Sequence, residues 1–244
     1  MKKNSTNNTF IVLYKSNSLV RATNAIDITN RLINELANNF KEQGDFKRMD
    51  GDYDGAIEDF SKAIEVNPEF ALAYYCRGSI KMELKNDSQG AIEDFNKAIE
   101  LNPSYYYFYS DRGSARLGTK DYSGALEDFN KCNELNQEKS YYDFFHRGSA
   151  RLGTKDYNGA IEDFNKSIEL FGYGFFIHYV YFRRGNAKYA IKDYNGALED
   201  YNKAIEKKPN YAEAYKNRSK LKQVMGDTEG ANFDIENFNK LNNK

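Results

Sequence analysis

One phrase recurs along this chain, and that recurrence limits the fold more than any other feature. Residues 113–131 read GSARLGTKDYSGALEDFNK and residues 148–166 read GSARLGTKDYNGAIEDFNK, with two positions changed. Weaker forms stand at 51–68 (GDYDGAIEDFSKAIEVNP), 90–103 (GAIEDFNKAIELNP) and 192–209 (KDYNGALEDYNKAIEKKP), and the phrase decays to GDTEGANFDIENF at 226–238. Its alanines fall at Ala56, Ala91, Ala125, Ala160, Ala197 and Ala231, at spacings of 35, 34, 35, 37 and 34 residues. A unit of this length makes one helix pair and its turns. One pair cannot bury both of its faces, so such units become stable by stacking on their neighbours.

Each copy places the same residue types at the same offsets. A small residue recurs in the first helix, at Gly44, Gly78, Gly113, Gly148, Gly185 and Ser219. An aromatic recurs in the second, at Phe60, Phe95, Phe129, Phe164 and Tyr201, with Ile235 as a departure. A second small position follows at Ala63, Ala98, Cys132, Ser167 and Ala204, with Phe238 as a departure. Asp52, Asp121, Asp156, Asp193 and Asp227 stand before the second helices, where a carboxylate caps free backbone N–H groups. Pro68, Pro103 and Pro209 stand after them, where a residue without an N–H stops a helix. In this pattern the chain resembles the tetratricopeptide repeat (TPR) family over roughly residues 37–241. The resemblance implies an all-α fold, a right-handed superhelical α-solenoid of stacked antiparallel helix pairs, with a short N-terminal segment outside the repeats. The pairs are expected at 37–50 with 53–66, 71–84 with 88–101, 106–118 with 122–135, 141–153 with 157–170, 178–191 with 194–207, and 212–225 with 228–241. The repeats then span about 37–70, 71–105, 106–139, 141–174, 178–211 and 212–244, within an array over 27–244. The longest spacing marks an insertion near Phe171–Phe176, where Gly172 and Gly174 suggest a bend.

The first 26 residues do not fit the repeat. Residues 1–8 are rich in Asn, Ser and Thr and read as disordered, and Phe10–Tyr14 and Leu19–Ala22 around Lys15-Ser16-Asn17-Ser18 read as a weak hairpin. Ile28, Leu32, Leu36 and Phe40 then recur every four residues, so helix is expected from about Asp27. The apolar run Phe10–Tyr14 is too short for a signal-peptide core, and no stretch reaches membrane-span length, so cytoplasmic residence is the expectation. A net charge of −1 gives no global field to draw nucleic acid or an anionic membrane.

The residues offer little for catalysis. Two cysteines, Cys76 and Cys132, make neither a disulfide framework nor a zinc site, and Cys132 holds a small-residue position. The two histidines, His146 and His178, show no metal-ligand spacing, and no glycine loop of phosphate-cradling form occurs. The expectation is no enzyme, no metal and no cofactor.

The charges form two series. Arg77, Arg112, Arg147, Arg184 and Arg218 precede the small residue, and Lys81, Arg116, Arg151, Lys188 and Lys222 follow four residues later, with Lys47 in the first repeat. Like charges at that spacing repel on a helix, so compensation is required. Glu58-Asp59, Glu93-Asp94, Glu127-Asp128, Glu162-Asp163 and Glu199-Asp200 on the second helices match them. The bases are either a structural ladder paired with these acids or a stripe that grips an acidic ligand.

Aromatics are abundant, with 20 Tyr, 17 Phe and no Trp. Phe40, Tyr74, Tyr109, Phe144, Tyr181 and Tyr215 match the family's packing site. A surplus remains at Tyr75, Tyr107, Tyr142, Phe145, Tyr179, Phe182 and Tyr189. The resemblance places these offsets in the concave groove that receives an extended peptide or a partner helix; extra packing between first helices is the other reading. Some TPR co-chaperones hold a chaperone's C-terminal carboxylate with Lys and Asn, then Asn, then Lys and Arg in successive repeats. The matching positions here hold Lys41 and Asp45, Cys76, and Tyr107 and Asp111, so that clamp is not expected; Asn217 in the last repeat recovers one element alone.

The sequence therefore reads as a protein-interaction scaffold that binds a peptide segment or partner helix. The alternative is a structural or oligomerisation module, or a regulatory docking subunit, without a free peptide ligand. Phe233, Ile235, Phe238 and Leu241 on the final helix suggest self-association through the C-terminal repeat.

Overall fold

The computed structural model describes the backbone of residues 4–243 except Lys85, Lys139 and 172–175, and the side chains from Thr23 onward except those positions and Phe171. The described residues form helices joined by turns and divide into two compact units. The first unit, Met1–Asn102, holds α1 (Asn4–Met49), α2 (Tyr53–Val66), α3 (Ala71–Leu84) and α4 (Ser88–Leu101). The second, Pro103–Lys244, holds α5 (Tyr106–Gly118), α6 (Tyr122–Leu135), α7 (Tyr141–Gly153), α8 (Tyr157–Phe171), α9 (Ile177–Ala190), α10 (Tyr194–Lys207), α11 (Ala212–Val224) and α12 (Thr228–Asn242). Within each unit every helix packs on the next, and in the second unit the first helices α5, α7, α9 and α11 also touch in succession. Each unit is thus an all-α, TPR-like stack of helix pairs.

The turn inside each pair explains why two helices form. The first helix ends on a residue of left-handed backbone: Gly51 (φ 82°), Lys120 (φ 63°), Lys155 (φ 66°), Lys192 (φ 65°) or Gly226 (φ 85°). The next N–H, from Asp52, Asp121, Asp156, Asp193 or Asp227, bonds back to the carbonyl five residues earlier at 2.8–2.9 Å. The same aspartates accept the N–H of the glycine three residues on, Asp156 from Gly159 at 3.0 Å, which starts the second helix. Asp87 does this for α4 and belongs with the expected caps.

Pairing within a repeat rests on glycine against an aromatic ring. A Cβ at Gly113 would stand 2.8 Å from Phe129, and one at Gly185 2.8 Å from Tyr201, so only glycine admits the ring at these crossings. Stacking between repeats rests on the residue two places after that glycine. Ile80 packs in one cluster with Ala56 and Phe60, Ala150 with Ala125 and Phe129, Ala187 with Ala160 and Phe164, and Leu221 with Ala197 and Tyr201. Each is a first-helix residue seated on the preceding second helix.

One expectation is corrected. Helix α1 is continuous from Asn4, so the segment read as a disordered start and a hairpin is helical where it is described. No Gly or Pro occurs before Gly44, so nothing forces the chain to reverse. The final helix presents a mixed surface, on which Phe233 and Ile235 are exposed. Tyr194, Leu198 and Ile205 of α10 pack into the cluster shared with α11, whereas the corresponding α12 residues are exposed Thr228, Asn232 and Asn239. Exposed Phe233 stands where the other second helices carry Glu, and the larger Phe238 fits where they carry a small residue, against Lys216. The bend expected at Gly172 and Gly174 lies outside the described residues.

Candidate functional site

The basic residues of the two series are engaged by buried aspartates. Arg77 lays a two-pronged guanidinium on Asp94 at 2.6 and 3.0 Å, and Lys81 adds a third contact at 2.8 Å. The unit repeats as Arg112 and Arg116 on Asp128, Arg147 and Arg151 on Asp163, Arg184 and Lys188 on Asp200, and Arg218 and Lys222 on Asp234. In the first repeat Lys47 and Lys62 serve Asp59. All six aspartates are buried, while the glutamates beside them, such as Glu58, stay in solvent. Burial disfavours the Asp59 carboxylate, but hydrogen bonds from Lys47 and Lys62 outweigh it and lower its pKa. The remaining nitrogen of Arg77, Arg184 and Arg218 reaches back to Ser61, Asn165 and Asn202 of the preceding second helix at 3.0, 2.6 and 2.7 Å. These bases lock helices together, and their guanidiniums are taken up inside the stack.

The surplus aromatics separate into distinct places. Tyr75 packs at 5.9 Å on Phe95. Tyr107 is exposed and stacks at 4.1 Å on Tyr106. Phe182 is buried in the core formed with Ala197, Tyr201 and Tyr211. Tyr189 meets Tyr194 and borders a polar hollow with Asn186, Tyr201, Asn217 and Lys220. The remaining three, Tyr142, Phe145 and Tyr179, converge.

They line an open cavity of about 230 Å³ where α7 meets α9, completed by Tyr141, His146, Phe176 and Val180. Its wall is nearly all carbon, and a hollow of this size takes one large apolar side chain. Phe145 stands 5.6 Å from Tyr179 and 5.2 Å, edge-on, from His146. Tyr142 is 46% exposed at the rim, so an incoming group can reach it. Burial among these rings lowers the His146 pKa to about 4, so the imidazole is neutral at pH 7 and behaves as one more ring. Sequence reading singled out neither His146 nor Phe176, Val180 and Tyr141 for this place, because the cavity belongs to two repeats at once. The aromatic doublets Tyr141-Tyr142 and Phe145-His146 were the available signal.

The thiols are poor nucleophiles. Burial, then Asp45, pushes Cys76 to about 11, and burial, then Asp143, pushes Cys132 to about 12. Among the described residues no group of three or more His, Cys, Asp or Glu could hold a metal ion, and no helix is long and apolar enough to cross a membrane. Lys41, the one match to the carboxylate clamp, is paired with Asp45 at 2.7 Å.

Helix pairs of fixed length, crossing at glycine and stacked through one repeated contact, define an α-helical repeat protein. Family profiles described as TPR repeat match residues 44–85 and 185–226, and one described as tetratricopeptide repeat matches 71–105. No curated protein sequence matches the chain. Among solved structures, YrrB, described as a TPR protein with an unusual peptide-binding site, is 21% identical with a TM-score of 0.59, over 75% of this chain and 91% of that one. A MamA structure is 23% identical with a TM-score of 0.64, over 73% and 95%. PilF of Pseudomonas aeruginosa is 19% identical with a TM-score of 0.65, over 86% and 93%. At these identities the likeness concerns the fold. The chain is a tetratricopeptide repeat protein.

Proposed function

We propose that this protein is an interaction scaffold that holds a partner's peptide segment or helix by seating one apolar side chain in the Tyr142–Phe145–His146–Tyr179 cavity. The observation that carries the reading is the cavity itself, an apolar hollow open to solvent on the first-helix layer. TPR proteins bind other proteins or peptides, and the structurally similar YrrB is described as having a peptide-binding site. Aromatic side chains give large contact area for little lost freedom, which suits them to anchor a partner. The oligomerisation reading draws on the exposed Phe233 and Ile235 of α12, which stand beside the polar Thr228, Asn232 and Asn239. Peptides selected from a random display library on the intact chain should bind Tyr142→Ala about tenfold more weakly, as loss of a contact residue at such an anchor costs. Tyr105→Ala, on the exposed start of α5, should leave them unaffected. Unchanged affinity for Tyr142→Ala would overturn the proposal.

A further inference from the structure

The arginine next to this cavity is unlike the others. Arg183 lies one turn after Tyr179 on α9, with its guanidinium carbon 5.0 Å above the Tyr179 ring and one terminal nitrogen donating to the Tyr179 hydroxyl at 2.7 Å. Arg184, its chain neighbour, is held by Asp200, as the corresponding arginines of other repeats are held by their aspartates. Arg183 has no carboxylate partner among the described residues, and its Nε is buried with no acceptor. A guanidinium fixed on Tyr179 and left without a carboxylate is an arrangement that an incoming acceptor completes. The surroundings favour a negative one. Lys208 stands 5.4 Å from the Tyr211 ring, itself 6.3 Å from Tyr179. Phe176 links the apolar cavity to a second hollow bordered by His178, Lys207 and Lys208, of which Lys207 is paired with Glu206 at 3.1 Å. On the α7 side, the carboxylate of Asp143 is occupied by the Ser140 N–H at 2.8 Å and hydroxyl at 3.2 Å.

We infer that the segment received by the cavity is acidic: a carboxylate placed beside its apolar side chain binds Arg183 while the side chain fills the hollow. This rests on the cavity reading above and names the chemistry of its ligand. Tyr179 serves both halves: its ring lines the hollow, and its hydroxyl accepts from the guanidinium. The planar fork of arginine suits a carboxylate, and a lysine in its place would offer only a point charge.

The test uses the intact chain and two small probes, 3-phenylpropionate and its neutral amide, which share the ring and differ in the charge. Binding is read from the His146 ring-proton resonance, which two histidines leave easy to assign. The acid should bind the wild type about tenfold more tightly than the amide, the gain expected for one charge-assisted contact. Arg183→Gln should bring the acid down to the amide's affinity, with the amide's own binding unchanged as proof that the cavity is intact. Arg183→Lys should keep part of the difference. Equal binding of acid and amide to the wild type, or an advantage that survives Arg183→Gln, would overturn the inference and leave the cavity reading standing. If neither probe moves the His146 resonance, the cavity reading falls and takes the inference with it.

Discussion

Asn133 shows how much a single position can deviate inside a near-identical repeat. The other internal second helices carry Ile64, Ile99, Ile168 and Ile205 at its place. Asn133 is buried, and neither atom of its amide has a hydrogen-bond partner among the described residues. An unmet buried polar group costs about 1–3 kcal/mol. Asn133→Ile should therefore raise the unfolding free energy by roughly that amount and raise the melting temperature measured by circular dichroism. A lower melting temperature would show that the amide is satisfied or that the pocket around it is too small. His146 makes a second prediction at this scale. Its folded pKa lies below the unfolded 6.5, so its contribution to stability is complete above pH 6.5 and is lost as pH falls toward about 4. Denaturant unfolding at pH 7 and pH 4.5 should show a loss of about 2 kcal/mol that is absent in His146→Phe. An equal loss in that variant would place the titration elsewhere. Asp59, whose pKa is depressed, keeps its contribution above its unfolded value of 3.8, outside this window.

At the scale of the element, the turns repeat one geometry with two residue types. Gly51 and Gly226 adopt left-handed backbone freely, whereas Lys155 adopts it at φ 66° against the steric preference of a residue with a Cβ. Lys155→Gly should stabilise the chain by about 0.5–1 kcal/mol, visible as a shift of the denaturation midpoint, and a destabilised variant would contradict this account of the turn. Helices were the most legible part of the sequence. The expected spans 53–66, 88–101, 122–135 and 194–207 coincide with α2, α4, α6 and α10, because a small-aromatic-small series within marks each of them and an Asp before marks all but α4 in the sequence reading. The start of α1 was not legible, since a segment without Gly or Pro carries no signal that separates helix from a weak hairpin. The site was legible only by halves. Register identified Tyr142, Phe145 and Tyr179 as surplus aromatics, but it grouped them with Phe182, which the core buries, and with Tyr75, which leans on Phe95. Which aromatics face a common hollow depends on how α7 and α9 approach, and no single repeat contains that information. The basic series was ambiguous for the same reason, until geometry placed a buried aspartate under each arginine.

For the molecule as a whole, the repeats divide labour between cohesion and contact. Basic residues on a buried Asp in every repeat, and Gly–aromatic crossings in all but the last, hold the helix pairs together, and the residues that seat one repeat on the next are small or apolar and buried. Formal charge is nearly balanced at −1, so any preference for an acidic ligand must come from the local placement of Arg183 and Lys208. The proposed partner surface lies on the first-helix layer of the second unit, where the hollow opens. The central claim is that a partner's apolar side chain enters the hollow between α7 and α9. Intermolecular nuclear Overhauser effects between a display-selected peptide and the isotope-labelled chain test it most directly. The account predicts contacts from one apolar side chain of the peptide to the rings of His146, Phe145 and Tyr179. Contacts confined to second helices, or to Tyr75 and Tyr189 without His146, would contradict it.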